Sequence, residues 1–393
     1  MATRREFLIT VAATGAATAV MPRIVHAAGK PVRLGFSIAK TGIYAAAAQS
    51  QLNSYELWKG QLNAMGGLDV AGKRRPIEYV VYDDQSNPAQ AAKIYEQLIT
   101  EDKVDLLLAP WGTPMHIAAA PVVERFKFPL VGNSAASVEL RKLKPGYIWF
   151  CTADFPDRVA RQLALLLKAK NIKSVALIAN VLDFTMEVKG FLLPALKEHG
   201  IKVLLNEEYP PSLTDMTALL TKVKQAAADG VVALSYPPDS VLYARQAKEL
   251  SVPAAFQFCL VGPGADFFTK ALGAAANGIV AMGQWTPKRN ASAEAFNRAY
   301  ITRFHQRPDY LDSIEAYDSC QVLADAVKVA GLNRAKLRDA IVKGRFNTID
   351  GPIQFTGIEN LVTRTGFLQI QNGSLQQIWP KEDATGHWQP KKG

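Results

Sequence analysis

The chain has 393 residues, 49% of them apolar, and carries 45 Lys and Arg against 35 Asp and Glu for a net charge of +10. That length and apolar content supply two hydrophobic cores, so two domains are expected. The basic residues are scattered, which argues against a nucleic-acid-binding protein. Cys151, Cys259 and Cys320, odd in number and far apart, define no disulfide framework; they are expected as small core residues, at least one of them free.

Thr3-Arg4-Arg5-Glu6-Phe7-Leu8, the Ala-rich run Ile9 to Met21 and then Val25-His26-Ala27-Ala28 make a basic start, a short apolar segment and a small-residue cleavage site. Residues 1–27 therefore read as a removable twin-arginine (Tat) export signal leading to a bacterial periplasm. The apolar run falls short of the roughly 20 residues of a spanning helix, and no later stretch reaches that length. No Cys adjoins the cleavage site, so lipid anchoring is not expected. Without Arg4, Arg5, Arg23 and Glu6 the chain stays basic, a solvated surface suited to an acidic partner or anionic lipid.

Beyond the signal, strand-like and helix-like periods alternate. Val32 to Ser37, Ile77 to Asp83, Leu106 to Ala109 and Phe128 to Gly132 read as strands, separated by helices over Ala45 to Met65, Pro88 to Glu101 and Pro114 to Phe126. After Tyr147 to Thr152 the alternation restarts. Strands at Ser174 to Ala179, Lys202 to Tyr209, Gly230 to Ser235 and Ala255 to Leu260 fall between helices at Asp157 to Lys170, Thr185 to His199, Met216 to Ala228 and Ser240 to Leu250. Repeated βαβ units imply two α/β, doubly wound (Rossmann-like) lobes with parallel sheets. Past Trp285 come helices at Ala291 to Phe304, Asp312 to Ala330 and Arg334 to Lys343, then short strands from Ile349. With no long Gly/Ser or Pro-rich linker, the chain is expected to cross between lobes more than once, making a stiff hinge.

Ligands of doubly wound folds sit beyond the C-terminal ends of the strands, where helix N-termini present free N–H groups. Four loops qualify. Ala39-Lys40-Thr41-Gly42-Ile43-Tyr44 offers an aromatic wall at Tyr44. Ala109-Pro110-Trp111-Gly112-Thr113-Pro114 places Pro114 at a first helical position and Thr113 at the N-cap, with Gly112 allowing close backbone approach and Trp111 supplying a flat face. Spacing alone does not choose between Thr113 capping its own helix and Thr113 holding a ligand carboxylate. Gly132-Asn133-Ser134-Ala135-Ala136-Ser137 approaches the G-x-S-x-G nucleophile elbow, which raises a serine hydrolase using Ser134. Ala136 replaces the second Gly, however, and His199, His305 and His387 are not placed as a base. Asn180 to Phe184 and Tyr236 to Asp239 follow strands of the second lobe; Asp183 and Asp239 read as helix caps and Tyr236 as a closing contact. There is no Walker loop, H-E-x-x-H, C-x-x-C or His cluster, so no cofactor and no metal is expected.

In their order, Thr41-Gly42, Asp83-Asp84-Gln85-Ser86-Asn87-Pro88, Thr113, Ser134-Ala135-Ala136, Ile314-Glu315-Ala316-Tyr317-Asp318 and Phe346-Asn347-Thr348 running into Asp350-Gly351-Pro352-Ile353-Gln354-Phe355 resemble the periplasmic solute-binding proteins of ABC transporters, in the branched-chain amino acid binding (type I) family. The resemblance implies two lobes joined by three crossovers, with residues 28–151 plus 286–352 in the first and 152–285 plus 353–393 in the second. It makes Thr113 and the backbone around Ser134 and Ala136 the carboxylate holders, with Phe184 and Tyr236 as contacts from the second lobe. It implies closure of the lobes on one small ligand, an inner-membrane ABC permease as partner, and no catalysis.

One departure bears on the ligand. Family members that bind amino acids place an acid after the strand ending near Leu260 to pair the ligand's ammonium; here the segment reads Leu260-Val261-Gly262-Pro263-Gly264. A buried ammonium without a counter-charge is costly. Either Asp183, Asp239 or Asp266 substitutes, or the ligand is an aromatic or aliphatic carboxylate without an amine, the aromatic choice suggested by Tyr44, Trp111, Phe184, Tyr236 and Trp285. The expected function is capture of a small carboxylate-bearing solute for import; a ligand-sensing periplasmic receptor is the alternative with the same fold.

Overall fold

The structure is a computed structural model that describes residues 29–391. The export signal proposed for residues 1–27 lies outside the described residues. Among those, no helix is long and apolar enough to cross a membrane.

The first lobe begins with β1 (Val32–Ile38), α1 (Ala45–Ala64), the hairpin β2 (Leu68–Val70) and β3 (Lys73–Arg75), β4 (Ile77–Asp83), α2 (Pro88–Thr100), β5 (Leu106–Leu107), α3 (Thr113–Arg125), β6 (Leu130–Gly132), α4 (Val138–Lys142) and β7 (Ile148–Phe150). β1 pairs in parallel with both β4 and β5, and β6 in parallel with β7. Six of the seven β1 residues are buried, as a strand covered on both faces requires.

The chain then builds the second lobe from α5 (Pro156–Ala169), β8 (Ser174–Asn180), α6 (Asp183–Glu198), β9 (Lys202–Tyr209), α7 (Thr217–Ala226), β10 (Gly230–Leu234), α8 (Pro237–Glu249), β11 (Phe256–Cys259), α9 (Asp266–Leu272) and β12 (Ile279–Met282). It returns to the first lobe with α10 (Ala291–Phe304), α11 (Asp312–Ala330), α12 (Arg334–Lys343), β13 (Phe346–Thr348), β14 (Gly351–Ile353), β15 (Phe355–Thr356) and β16 (Glu359–Asn360), and ends with β17 (Phe367–Gln371) and β18 (Ser374–Trp379). In the second sheet the order is β18-β17-β12-β11-β10-β8-β9; β17 and β18 run antiparallel on an otherwise parallel sheet.

Strand pairing moves one boundary. β16 pairs in parallel with β7, Glu359 opposite Phe150, and β15 pairs with β16. Residues 355–360 therefore stay with the first lobe, and the third crossing follows Asn360 instead of residue 352. Two-residue strands around a Gly357 turn carry too little periodicity to be assigned from sequence.

The three crossings lie side by side. Asn360 Nδ2 donates to Cys151 O (2.9 Å), Thr365 Oγ1 donates to Ala153 O (2.8 Å) and Gly283 N donates to Gly366 O (3.1 Å). Arg158 braces the same region, donating to Ala153 O and Asn360 O and pairing with Glu359 at 2.7 Å. Cys151, Cys259 and Cys320 are all buried and free, and burial pushes each thiol up.

Candidate functional site

The Tyr44 loop is built by the Asp-Asp-Gln-Ser-Asn-Pro segment after β4. Asp83 accepts from Lys40 N (2.9 Å), Thr41 N (3.3 Å) and Thr41 Oγ1 (2.8 Å), while Ser86 Oγ donates to Thr41 O (2.8 Å) and accepts from Tyr44 N (3.1 Å). Asn87 caps α2 through Ala89 N and Gln90 N. One hydrophilic segment thus starts a helix and holds a neighbouring loop, bringing Tyr44 to the end of β1.

Thr113 is the first residue of α3, not its cap; Gly112 takes the cap position with φ +87°, a left-handed backbone that favours glycine. Thr113 Oγ1 bridges to the next loop, donating to Ala136 O (3.2 Å) and accepting from Ala136 N (3.3 Å). Ser134 also has positive φ (+47°), and its N–H donates to Glu315 Oε2 on α11 at 2.8 Å. Of the backbone donors singled out for a carboxylate, those of Ser134 and Ala136 are therefore satisfied within the chain. Ala135 and Ala136 are buried, and so is the Ser134 hydroxyl oxygen, which has no hydrogen-bond partner among the described residues. His116 is fully buried with Nδ1 on Gly112 O (2.9 Å), and burial pushes its pKa down to about 4.

From the second lobe Tyr236 reaches this group. Its ring centroid lies 5.9 Å from Tyr44 and 6.2 Å from Trp111, and Tyr44 and Trp111 lie 5.2 Å apart. All three are at most 5% exposed. Asp239, three residues on, accepts from Tyr236 N (3.0 Å), Asn180 Nδ2 (3.0 Å) and Tyr209 OH (2.5 Å), which commits it to positioning α8. Gly262 lies against the same helix start. Its φ is +118° and an added Cβ would sit 3.0 Å from Pro237 Cα, so its role is close approach of the β11 loop to Tyr236's helix. Phe184 is buried at the start of α6 but does not stack with the trio. Trp285 belongs elsewhere, packed on Tyr310 (5.0 Å) and Phe296 (6.0 Å) with Nε1 on Ile349 O.

A second interlobe contact flanks the trio. Glu187 on α6 accepts from Ser137 Oγ (2.5 Å) and Val138 N (2.8 Å) at the start of α4 in the first lobe. Hydrogen bonds to a charged acceptor are each worth roughly 1.5–3 kcal/mol, much of it offset where water competes. Glu187→Ala is therefore expected to weaken solute binding about tenfold, roughly 1.4 kcal/mol, through faster release. Stopped-flow dissociation checks this; an unchanged release rate contradicts it.

The sequence reading passed over the acids of α11 as ligands. Asp312, Glu315 and Asp318 recur at i, i+3 and i+6, which places them on one helix face, and all three are at most 3% exposed. Asp312 accepts from Trp111 Nε1 at 2.9 Å. Burial drives all three carboxyls well above the usual range, and the Asp309, Asp154 and Asp350 charges push further on Asp312, Glu315 and Asp318 respectively. The Tyr236 phenol is pushed up by burial, then by Tyr44, Asp183, Asp312 and Asp239, so Asp312 acts on the same interlobe space. That spacing of acids was the available signal.

A family model described as periplasmic binding protein matches residues 31–373. The leucine-, isoleucine-, valine-, threonine- and alanine-binding protein of Pseudomonas aeruginosa is 25% identical over 304 residues, 75% of this chain and 78% of that one. A Leu/Ile/Val-binding protein homologue of Brucella melitensis is 25% identical over 378 residues, 90% of this chain and 92% of its own. Among solved structures, the Streptococcus pneumoniae branched-chain amino acid transporter substrate-binding protein LivJ in complex with isoleucine has a TM-score of 0.80 at 24% identity, covering 88% of this chain and 98% of that one. A Rhodopseudomonas palustris solute-binding protein in complex with benzoate has a TM-score of 0.78 at 17% identity, covering 92% and 97%. With two doubly wound lobes, adjacent crossings and a family match over most of its length, this chain belongs to the periplasmic binding proteins, with the type I fold.

Proposed function

We propose that this chain is the periplasmic substrate-binding component of an ABC importer, exported by the Tat route, which captures a small carboxylate-bearing solute between its lobes and delivers it to an inner-membrane permease without chemistry. The observation that carries the reading is the meeting of Tyr44 and Trp111 from the first lobe with Tyr236 from the second. Such a cleft has large apolar walls with a few polar groups to orient a ligand. α3 opens with Thr113, and in its first turn the N–H groups of Thr113 and Met115 have no partner within the helix while Pro114 has no N–H, so its positive end is the natural seat for the carboxylate. Relatives named for aliphatic amino acids and a structural neighbour holding benzoate bracket the solute in size.

A thermal-shift screen of protein unfolded and refolded to strip bound solute tests the reading. A ligand at about 100 times its Kd adds roughly 2.7 kcal/mol. Stabilisation by at least one small carboxylate is expected; silence across amino acids, aromatic acids and aliphatic acids contradicts solute capture.

A further inference from the structure

We infer that the end of the second lobe remote from the cleft is a docking surface for an anionic phospholipid bilayer, formed by exposed lysines. The inference goes beyond solute capture and does not depend on it.

The topology gathers these lysines. β8, β9, β10, β11 and β12 run parallel, so the helices that feed them all end at the edge where the strands begin. Each of those helices carries a lysine in its last turn: Lys168 on α5, Lys197 on α6, Lys224 on α7, Lys248 on α8 and Lys270 on α9. Lys173 precedes β8 and Lys202 opens β9. Hydrogen bonds between the loops tie these positions into one surface. Lys202 N donates to Lys173 O (2.8 Å), Asp229 before β10 accepts from Lys173 N and Ser174 N (2.9 Å each), and Lys224 Nζ donates to Leu250 O after α8 (2.8 Å). The C-terminal segment adds Lys391, whose backbone N–H donates to Ala255 O before β11 (2.8 Å).

A lysine at a helix C-terminus complements the helix dipole, which accounts for one per helix. It does not account for Lys173 and Lys202, which stand outside the helices, or for the shortage of acids. The carboxylates at this end are Glu198, Asp229 and Glu249, and Asp229 is taken up by backbone N–H groups. The paired lysines of the lobe are Lys189, Lys222 and Lys270; Lys168, Lys173, Lys197, Lys202, Lys224 and Lys248 are exposed and make no ion pair among the described residues. At the cleft end the helices open instead on Asp157, Asp183, Asp239 and Asp266. The lobe is therefore charged oppositely at its two ends, and an anionic surface would orient it with the cleft end away.

Side-chain chemistry selects the occupant. Protein interfaces are anchored by aromatic residues and arginine around an apolar centre, and lysine is depleted there. The cations at these helix ends and strand starts are all lysines, hydrated point charges on flexible stems that suit a diffuse layer of phosphates better than forked pairing. Of the lobe's exposed large apolar side chains, Val181 lies at the cleft end, Phe191 in the middle of α6 and Leu204 inside β9, so none stands at a helix end. Attraction of lysines to an anionic bilayer adds up residue by residue and is screened by salt.

The test is co-sedimentation of the full-length protein with vesicles of phosphatidylglycerol and phosphatidylcholine in equal parts, and of phosphatidylcholine alone, at about 0.05 M and about 0.5 M salt. Binding to the anionic vesicles alone, and at low salt alone, is expected. Lys168→Gln, Lys173→Gln, Lys202→Gln and Lys248→Gln together are expected to weaken it about tenfold or more. Lys73→Gln, Lys93→Gln, Lys103→Gln and Lys127→Gln, the same charge removed from exposed sites of the first lobe, are expected to weaken it about threefold at most. Residues 1–28, with Arg4, Arg5 and Arg23, are common to all three proteins, so the comparison isolates the lysine surface. Lys168→Gln with Lys248→Gln alone gives the same direction should the fourfold variant melt early. Equal loss in the two fourfold variants, or wild-type binding no stronger to anionic than to neutral vesicles, overturns the inference. So does release from the vesicles by polyglutamate at equal charge, which would assign the surface to an acidic protein. Solute capture stands in each case, since its thermal-shift readout involves no vesicle.

Discussion

Trp111→Ala is expected to be the most damaging single change in the cleft, lowering stability by about 3–5 kcal/mol and removing detectable solute binding. The stability term comes from deleting a 2% exposed indole and leaving Asp312 without its Nε1 donor. The binding term comes from removing the ring that touches both Tyr44 and Tyr236. Trp111→Phe separates the two: it keeps most of the buried area and loses the hydrogen bond. Urea unfolding alongside calorimetry checks both, and a Trp111→Ala protein with wild-type midpoint and affinity contradicts the placement of this residue.

Stability of the solute-free protein is expected to fall as pH rises from about 4 to 7, opposite to a protein dominated by salt-bridged carboxylates. Burial raises Asp154 to about 7 and Asp309 and Asp350 to about 6, and raises Asp312, Glu315 and Asp318 as well. The facing cations, Arg158, Arg289 and Arg307, lower Asp154, Asp350 and Asp309 only in part. An unfolded carboxyl ionises near 4, so between 4 and 7 the folded protein holds more protons than the unfolded chain and loses stability as pH rises. His116 works the other way. Its folded value of about 4 lies below the ordinary value, so in the same window the unfolded chain binds its proton more readily. One histidine against six carboxyls leaves the net slope negative. A melting temperature higher at pH 5.5 than at pH 7.5 is the expected result; the reverse order contradicts the buried acids.

Most of the architecture was legible because parallel strands buried on both faces read as continuous apolar runs and their helices are long. The elements that escaped were short. β15 and β16 have two residues each, and assigning their stretch to the second lobe misplaced the third crossing. The interlobe contact was legible where a loop follows a strand, as at Tyr44, Trp111 and Tyr236, since the fold carries those loops to one edge of each sheet. It was less legible where a partner is distant in sequence. Ser134 N looked like a free donor because Glu315, 181 residues away, cannot be placed without the fold. Trp285 and Trp111 look alike in sequence, yet one fills a core and the other stands at the interlobe contact, a difference set by which loop carries each.

A bound solute is expected to close the two lobes over Tyr44, Trp111 and Tyr236. Ile43 and Val181 are exposed, 56% and 48%, on the loop before α1 and the loop before α6. The native cysteines are buried, so spin labels on Ile43→Cys and Val181→Cys would report the two cleft edges selectively. A distance distribution in the stripped protein that shifts to a shorter, narrower peak with the best solute from the thermal screen is the predicted result. An unchanged distribution at saturation would contradict capture by closure.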